Sequence, residues 1–189
     1  MASSITPVGA VVLAAGAGRR MGRPKATLEI AGQRLLQHHV DALSARVPDV
    51  VVVLGAAIVD VVGARVVVNP EWSSSAQADS LRCALLRIGP GPVVVTPVDA
   101  SPVRRRTLDA LITAGGAAVP IGADGVPGHP VVIDAAIADA VRQAPPAGGL
   151  RALLSGATKV LVDDPWIGVD LDTPDAWARW AALWTTERP

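Results

Sequence analysis

The run Val11-Val12-Leu13-Ala14-Ala15-Gly16-Ala17-Gly18-Arg19-Arg20-Met21-Gly22-Arg23-Pro24-Lys25 constrains this chain more than any other stretch. It begins apolar and partly β-branched, the pattern of a strand buried on both faces. It then breaks into small residues and glycines, which let backbone approach a ligand closely. Arg19, Arg20, Arg23 and Lys25 follow within seven residues. A buried strand feeding a cationic glycine loop suits a polyphosphate: backbone N–H groups face the oxygens, Arg grips two at once, and Lys adds a point charge. Two other phosphate loops do not fit. A Walker loop needs Ser or Thr after its lysine, and Ala26 follows Lys25; the G-x-G-x-x-G of dinucleotide folds needs its third glycine one residue before Gly22. A surface turn with solvated arginines is the plainer alternative.

A single domain spanning residues 1–189 is expected, long enough for a sizeable core, with a loose polar start at Met1–Pro7. With no Tyr or Phe, that core must be aliphatic, helped by five Trp. The 17 basic and 17 acidic residues balance, which argues against a nucleic-acid surface. Their placement is uneven. Cations crowd positions 19–25, whereas Asp163, Asp164, Asp170, Asp172 and Asp175 lie in a stretch without Lys or Arg. If the fold brings these together, cations would hold phosphate and carboxylates a divalent metal; otherwise they are two solvated patches. Cys83 stands alone, so neither an internal disulfide nor a thiolate cluster is available. No apolar run reaches the roughly 20 residues of a membrane span. The charges around Val8–Gly18 run in the wrong order for a secretion signal. The expectation is a cytoplasmic protein without membrane contact.

Apolar runs at Val50–Leu54, Ala64–Val68, Val93–Pro97, Ala117–Ile121 and Lys159–Val162 read as further strands. They alternate with helical spacing at Gln33–Arg46, Arg104–Ala114 and Ala135–Ala144, and Ala56–Val62 is expected as a short helix. Strands apolar on both faces and separated by helices imply a mainly parallel sheet covered on both sides. Ligands of such sheets sit beyond the strands' carboxyl ends, where the Gly16–Lys25 loop and Asp99 both fall. His38 and His39, adjacent on a helix, make a poor metal pair and read as boundary residues. Ser80 opens a helix and could be its cap. Arg104-Arg105-Arg106 at a helix start is mildly unfavourable and hints at a partner anion. Trp177, Trp180 and Trp184 have core or interface spacing.

The order Leu-Ala-Ala-Gly, Arg20-Met21-Gly22, Pro24-Lys25 resembles the signature of the MobA-like NTP transferases, which include the molybdenum-cofactor cytidylyltransferases. Asn69-Pro70-Glu71-Trp72, Asp99, Gly128-His129-Pro130-Val131 and Asp170-Leu171-Asp172-Thr173-Pro174 follow in that family's order. The resemblance implies a three-layer α/β/α, Rossmann-like nucleotidyltransferase fold with a mainly parallel, mixed sheet. It implies Mg²⁺-dependent transfer of NMP from an NTP to a phosphorylated acceptor, releasing pyrophosphate. Arg20 and Lys25 would hold the triphosphate, with Lys25 at the α-phosphate. The Leu13, Ala14, Ala15 and Gly16 backbone would lie near base and ribose. Asn69, Ser75, Gln77 and Ser80 would approach the base, and His129 and Arg151 the acceptor. Asp99 and Asp172 would hold the metal, with Asp170 competing for the second place. Ala15 favours CTP over GTP, and a molybdopterin-type acceptor is the first choice, with a molybdoenzyme as partner. A phosphosugar acceptor stays open.

The chain departs from the family at four places. Gly18 replaces a common Ser, at the expected loss of one hydroxyl contact. The 73–79 loop lacks a Gly-Met pair and is about one residue longer. Ser101 replaces the proline after Asp99, and an acidic residue near 147 is missing. These departures keep an idle nucleotide-binding or cofactor-chaperone protein open, and a dehydrogenase is a third reading.

Overall fold

The computed structural model describes residues 9–146 and 148–184. Met1–Pro7 and position 147 therefore lie outside the described residues. Seven strands form the main sheet: β1 (Gly9–Ala14), β4 (Val50–Leu54), β5 (Arg65–Val68), β6 (Val93–Pro97), β7 (Ala118–Ile121), β8 (Val131–Ile133) and β9 (Thr158–Leu161). Their spatial order is β5-β4-β1-β6-β8-β7-β9, and only β8 runs antiparallel to its neighbours. A two-residue pair, β2 (Glu29–Ile30) and β3 (Gln33–Arg34), stands apart.

Alternation along β1 builds the two cores. Ala10, Val12 and Ala14 face one side with Leu36, Val40, Leu108 and Leu111; these come from α1 (Leu35–Ser44) and α3 (Arg105–Thr113). Val11, Leu13 and Ala15 face the other side with Leu81, Leu85, Ala138 and Val141; these come from α2 (Gln77–Leu85) and α4 (Ala135–Gln143). Every residue of β1 and β4 is buried, which is why these strands read as unbroken apolar runs rather than as alternating ones. Each fully buried Val or Leu contributes about 1.5–3 kcal/mol. A third cluster packs Trp166, Trp180 and Trp184 on Leu28, Ile30 and Leu35, and so ties α6 (Pro174–Trp184) to the segment after the cationic loop.

The chain leaves β1 for β4 on one side and later returns to place β6 on the other. The crevice at the ends of β1 and β6 is thus a topological switch point, where open α/β sheets bind ligands. Segment 56–62 corrects the expectation of a helix: it is irregular, with Val59 and Val61 packed on the core and Ile58 and Val62 largely exposed, and residues two apart do not share a helix face. The anion hinted at by Arg104–Arg106 lies within the chain. Asp164, buried, accepts from Arg104 N at 2.9 Å and from Thr107 Oγ1 at 2.6 Å, while Arg106 pairs with Asp163 at 2.9 Å. No helix among the described residues is long and apolar enough to cross a membrane.

Candidate active site

After β1, Gly18 takes a left-handed conformation with φ +60°. A Cβ there would stand 2.1 Å from Arg23 O. The departure from Ser at this position is therefore a requirement of this loop's path, not merely the loss of a hydroxyl. Two short 3₁₀ turns follow, at Arg19–Met21 and Lys25–Thr27. The second buries Ala26 and swings Lys25 back toward the strand ends.

Asp99 leaves the end of β6 and Asp172 precedes α6, yet they meet. Leu171 N donates to Asp99 O at 2.8 Å, and Ala100 bridges Asp170 as a short antiparallel pair. Lys25 Nζ contacts the carboxylates of both Asp99 and Asp172, and Arg20 contacts Asp172 as well. The Lys25 and Asp172 side chains are only 14% and 15% exposed, so solvent screens their pair weakly. Burial alone would lower the Lys25 pKa, but hydrogen bonds to Asp172 and Asp99 outweigh it and leave it above its ordinary range. Burial would raise Asp172, yet the hydrogen bond and charge of Lys25, with Arg20, hold it below the usual carboxylate range. Asp170 moves the other way, pushed up by burial of its carboxyl and by the charges of Asp172 and Asp99.

One oxygen from each of Asp99, Asp170 and Asp172 lies within 4.8 Å of the others. Three converging carboxylates are the hard donor set that suits Mg²⁺ or Mn²⁺, and their chemistry fits such an ion. Asp170, weighed against Asp172 on sequence grounds, is part of the same cluster.

A cavity of about 300 Å³ opens in front of this cluster. Leu13, Ala15, Gly16, Arg20, Lys25, Ser75, Gln77, Ser80, Asp99 and Asp172 line it. Two of the expected nucleotide-binding residues do not. Ala14 points into the core on the α1 side, because a strand's side chains alternate. Asn69 is buried beneath the site: its Oδ1 accepts from Glu71 N, and its Nδ2 donates to Ser75 Oγ and Ser80 Oγ, all at 3.0 Å. It holds two lining residues rather than lining the cavity itself. Ser80 lies inside α2 and is not its cap; Asp79 serves the helix start by accepting from Ala76 N at 2.8 Å.

His129 and Arg151 also stand outside this cavity. The His129 backbone N donates to Ile167 O at 2.9 Å, and its Nδ1 is buried without a partner. Burial and the charge of Arg151 lower its pKa, while Asp99 pulls it up, so all three share one neighbourhood. Arg151 itself is exposed on α5 (Gly149–Leu153).

Sequence reasoning left Trp72, Gly18, Arg19, Ala76 and Val98 out of the lining. Trp72 had a signal. A Cβ on Gly55 would come within 2.5 Å of Trp72 Cβ and 2.7 Å of Ala15 O, so the glycine after β4 exists to let this wall close up. His39 was read as a boundary residue, but it is buried, with Nε2 donating to Ala100 O at 2.9 Å.

Residues 10–161 match the MobA-like NTP transferase domain. The chain belongs to this family. A nicotine blue oxidoreductase of Paenarthrobacter nicotinovorans is 32% identical over 178 residues, covering 85% of this chain and 84% of that one. Two further relatives are a bifunctional GlmU protein of Sorangium cellulosum, 41% identical over 47% of this chain, and an N-acetylmuramate alpha-1-phosphate uridylyltransferase of Caulobacter vibrioides, 34% identical over 51%. The chain spans only 21% and 47% of their lengths. Among solved structures, a nucleotidyl transferase from Methanothermobacter superposes with a TM-score of 0.77 at 25% identity, covering 94% of this chain and 97% of that one. A Mycobacterium tuberculosis protein solved in complex with manganese superposes at 0.73 and 28% identity, covering 94% and 99%.

Proposed function

We propose that this member of the family is a Mg²⁺-dependent nucleotidyltransferase. It transfers NMP from an NTP, CTP first, to a phosphorylated acceptor of molybdopterin type, and pyrophosphate leaves. One observation carries the reading: Lys25, on the glycine loop, meets both Asp99 and Asp172 at the mouth of the cavity. Cations for a triphosphate and carboxylates for a metal thus occupy one site.

In the reaction an acceptor phosphate oxygen attacks the α-phosphorus. The bond from that phosphorus to the oxygen bridging toward the β-phosphorus breaks, and the electron pair leaves with pyrophosphate. Such chemistry needs positioning and charge neutralisation more than covalent help. Lys25 turns from the carboxylates to the α-phosphate, Arg20 from Asp172 to the β- and γ-phosphates. Asp99 and Asp172 would hold the divalent ion, which supplies neutralisation of phosphate charge when bound. A structural relative solved in complex with manganese supports the use of a divalent ion. The Ser75, Gln77 and Ser80 side chains face the base, and His129 with Arg151 faces the acceptor.

The test is thermal stabilisation by CTP, GTP, UTP and ATP with Mg²⁺, followed by pyrophosphate release with phosphorylated acceptors. Stabilisation led by CTP and acceptor-dependent release support the reading. Stabilisation without release under any acceptor supports an idle binder. Preference for UTP would shift the acceptor toward a phosphosugar, in line with the named uridylyltransferase relative. An oxidoreductase reading is favoured by one observation, the relative of that name that matches along most of both chains. Oxidation of NADH or NADPH would support it, and its absence alongside pyrophosphate release would exclude it.

A further inference from the structure

α1 turns an apolar face inward with Leu35, Leu36, Val40 and Leu43, and His39 is buried among them at 3% exposure. A leucine would fill such a place without the cost of burying an imidazole. The ring does something a leucine could not. Its Nε2 donates to Ala100 O at 2.9 Å. Ala100 directly follows Asp99.

A second restraint acts from α6, which packs against α1. Trp180 Nε1, on α6, donates to Ser101 Oγ at 2.9 Å, and both residues are buried. Ser101 stands where the family's proline would stiffen the turn. Its hydroxyl instead ties the turn to the helix that follows Asp172. The Asp99 turn is thus tied to both α1 and α6, although neither tie touches the carboxylate.

We propose that His39 is a positioning residue for Asp99: it fixes the backbone immediately after that carboxylate, with the Ser101–Trp180 bond as a second restraint on the same turn. The role rests on the metal-site reading above. Carboxylates converging within 4.8 Å bind an ion well only if their backbones are held. Losing the Ala100 restraint lets Asp99 drift from Asp172 while the core stays folded.

The test uses Mn²⁺ alone, titrated into the full chain and read by electron paramagnetic resonance, with thermal unfolding recorded for each variant. His39→Leu is expected to weaken Mn²⁺ binding about tenfold, the low end for losing a residue that orients a ligand. His39→Gln, whose Nε2 can reach Ala100 O, restores binding to within about threefold of wild type. Ser101→Ala weakens it in the same direction. If His39→Leu does not unfold cooperatively, His39→Asn, too short to reach Ala100 O, takes its place in the comparison. Equal Mn²⁺ affinity in wild type and the Leu or Asn variant overturns the proposal alone. So does equal weakening in the Gln and Leu variants in step with their stability, which marks a purely structural role. Absence of Mn²⁺ binding in wild type removes the metal site, and the positioning role with it.

Discussion

Lys25 and Asp172, 147 residues apart in sequence, form an ion pair at the mouth of the cavity, and the same ammonium reaches Asp99. The lysine occupies the position between the carboxylates that a divalent ion would take. Removing it has two opposed effects. Lys25→Ala is expected to lower nucleotidyl transfer on the order of 100-fold, as for loss of one preorganised donor. It should also tighten Mn²⁺ binding to the nucleotide-free protein, because three carboxylates lose their internal counter-ion. Turnover at the wild-type rate would take Lys25 out of the site.

Asn69 lies beneath the cavity and pins Ser75 and Ser80 through one amide. The orientation of that amide is fixed, since its Oδ1 faces the Glu71 N–H, which can only donate. Asn69→Ala should raise KM for the NTP about tenfold with a smaller change in kcat, and destabilise the fold by about 1–3 kcal/mol. Steady-state kinetics with chemical denaturation checks both. An unchanged KM would show that the serines do not need the amide.

Gly18→Ala places a methyl group against Arg23 O at positive φ. The backbone strain alone is about 1–2 kcal/mol, and the loop must move to relieve the contact. NTP binding measured calorimetrically should weaken, and thermal unfolding should move down by about 2–8 °C; unchanged binding would show that the loop path does not matter to the nucleotide.

His39 gives a pH signature. Burial holds its pKa at about 4 against an ordinary 6.5, so the unfolded chain takes up a proton that the folded chain refuses. The loss grows as pH falls from about 6.5 toward 4 and is absent above that window; it amounts to something on the order of 3 kcal/mol. His39→Gln should flatten this part of the stability–pH curve, as read by denaturant unfolding across the range.

Much of this architecture was legible because its signals are local. Unbroken apolar runs marked β1, β4 and β6, and the loop after β1 carried both its glycines and its cations. The helical reading of 56–62 failed because the residues that pack on the core, Val59 and Val61, are two apart and could not share one helix face. Convergence of Asp99 with Asp172 was an expectation from resemblance; no spacing encodes the backbone bond from Leu171 to Asp99 that makes it. The burial of His39 was hidden for a related reason. An adjacent histidine pair looks like a surface feature, and only the packed structure tells that His38 meets Ile30 O and Trp184 while its neighbour turns to the Asp99 turn.

Titration of CTP into the protein with and without Mn²⁺, for wild type and for Asp99→Asn, tests the shared metal and triphosphate site most directly. The account predicts binding that strengthens with Mn²⁺ in wild type and loses that dependence in Asp99→Asn. Equal affinity with and without the ion in wild type, or an Asp99→Asn protein that responds to Mn²⁺ as wild type does, would contradict it.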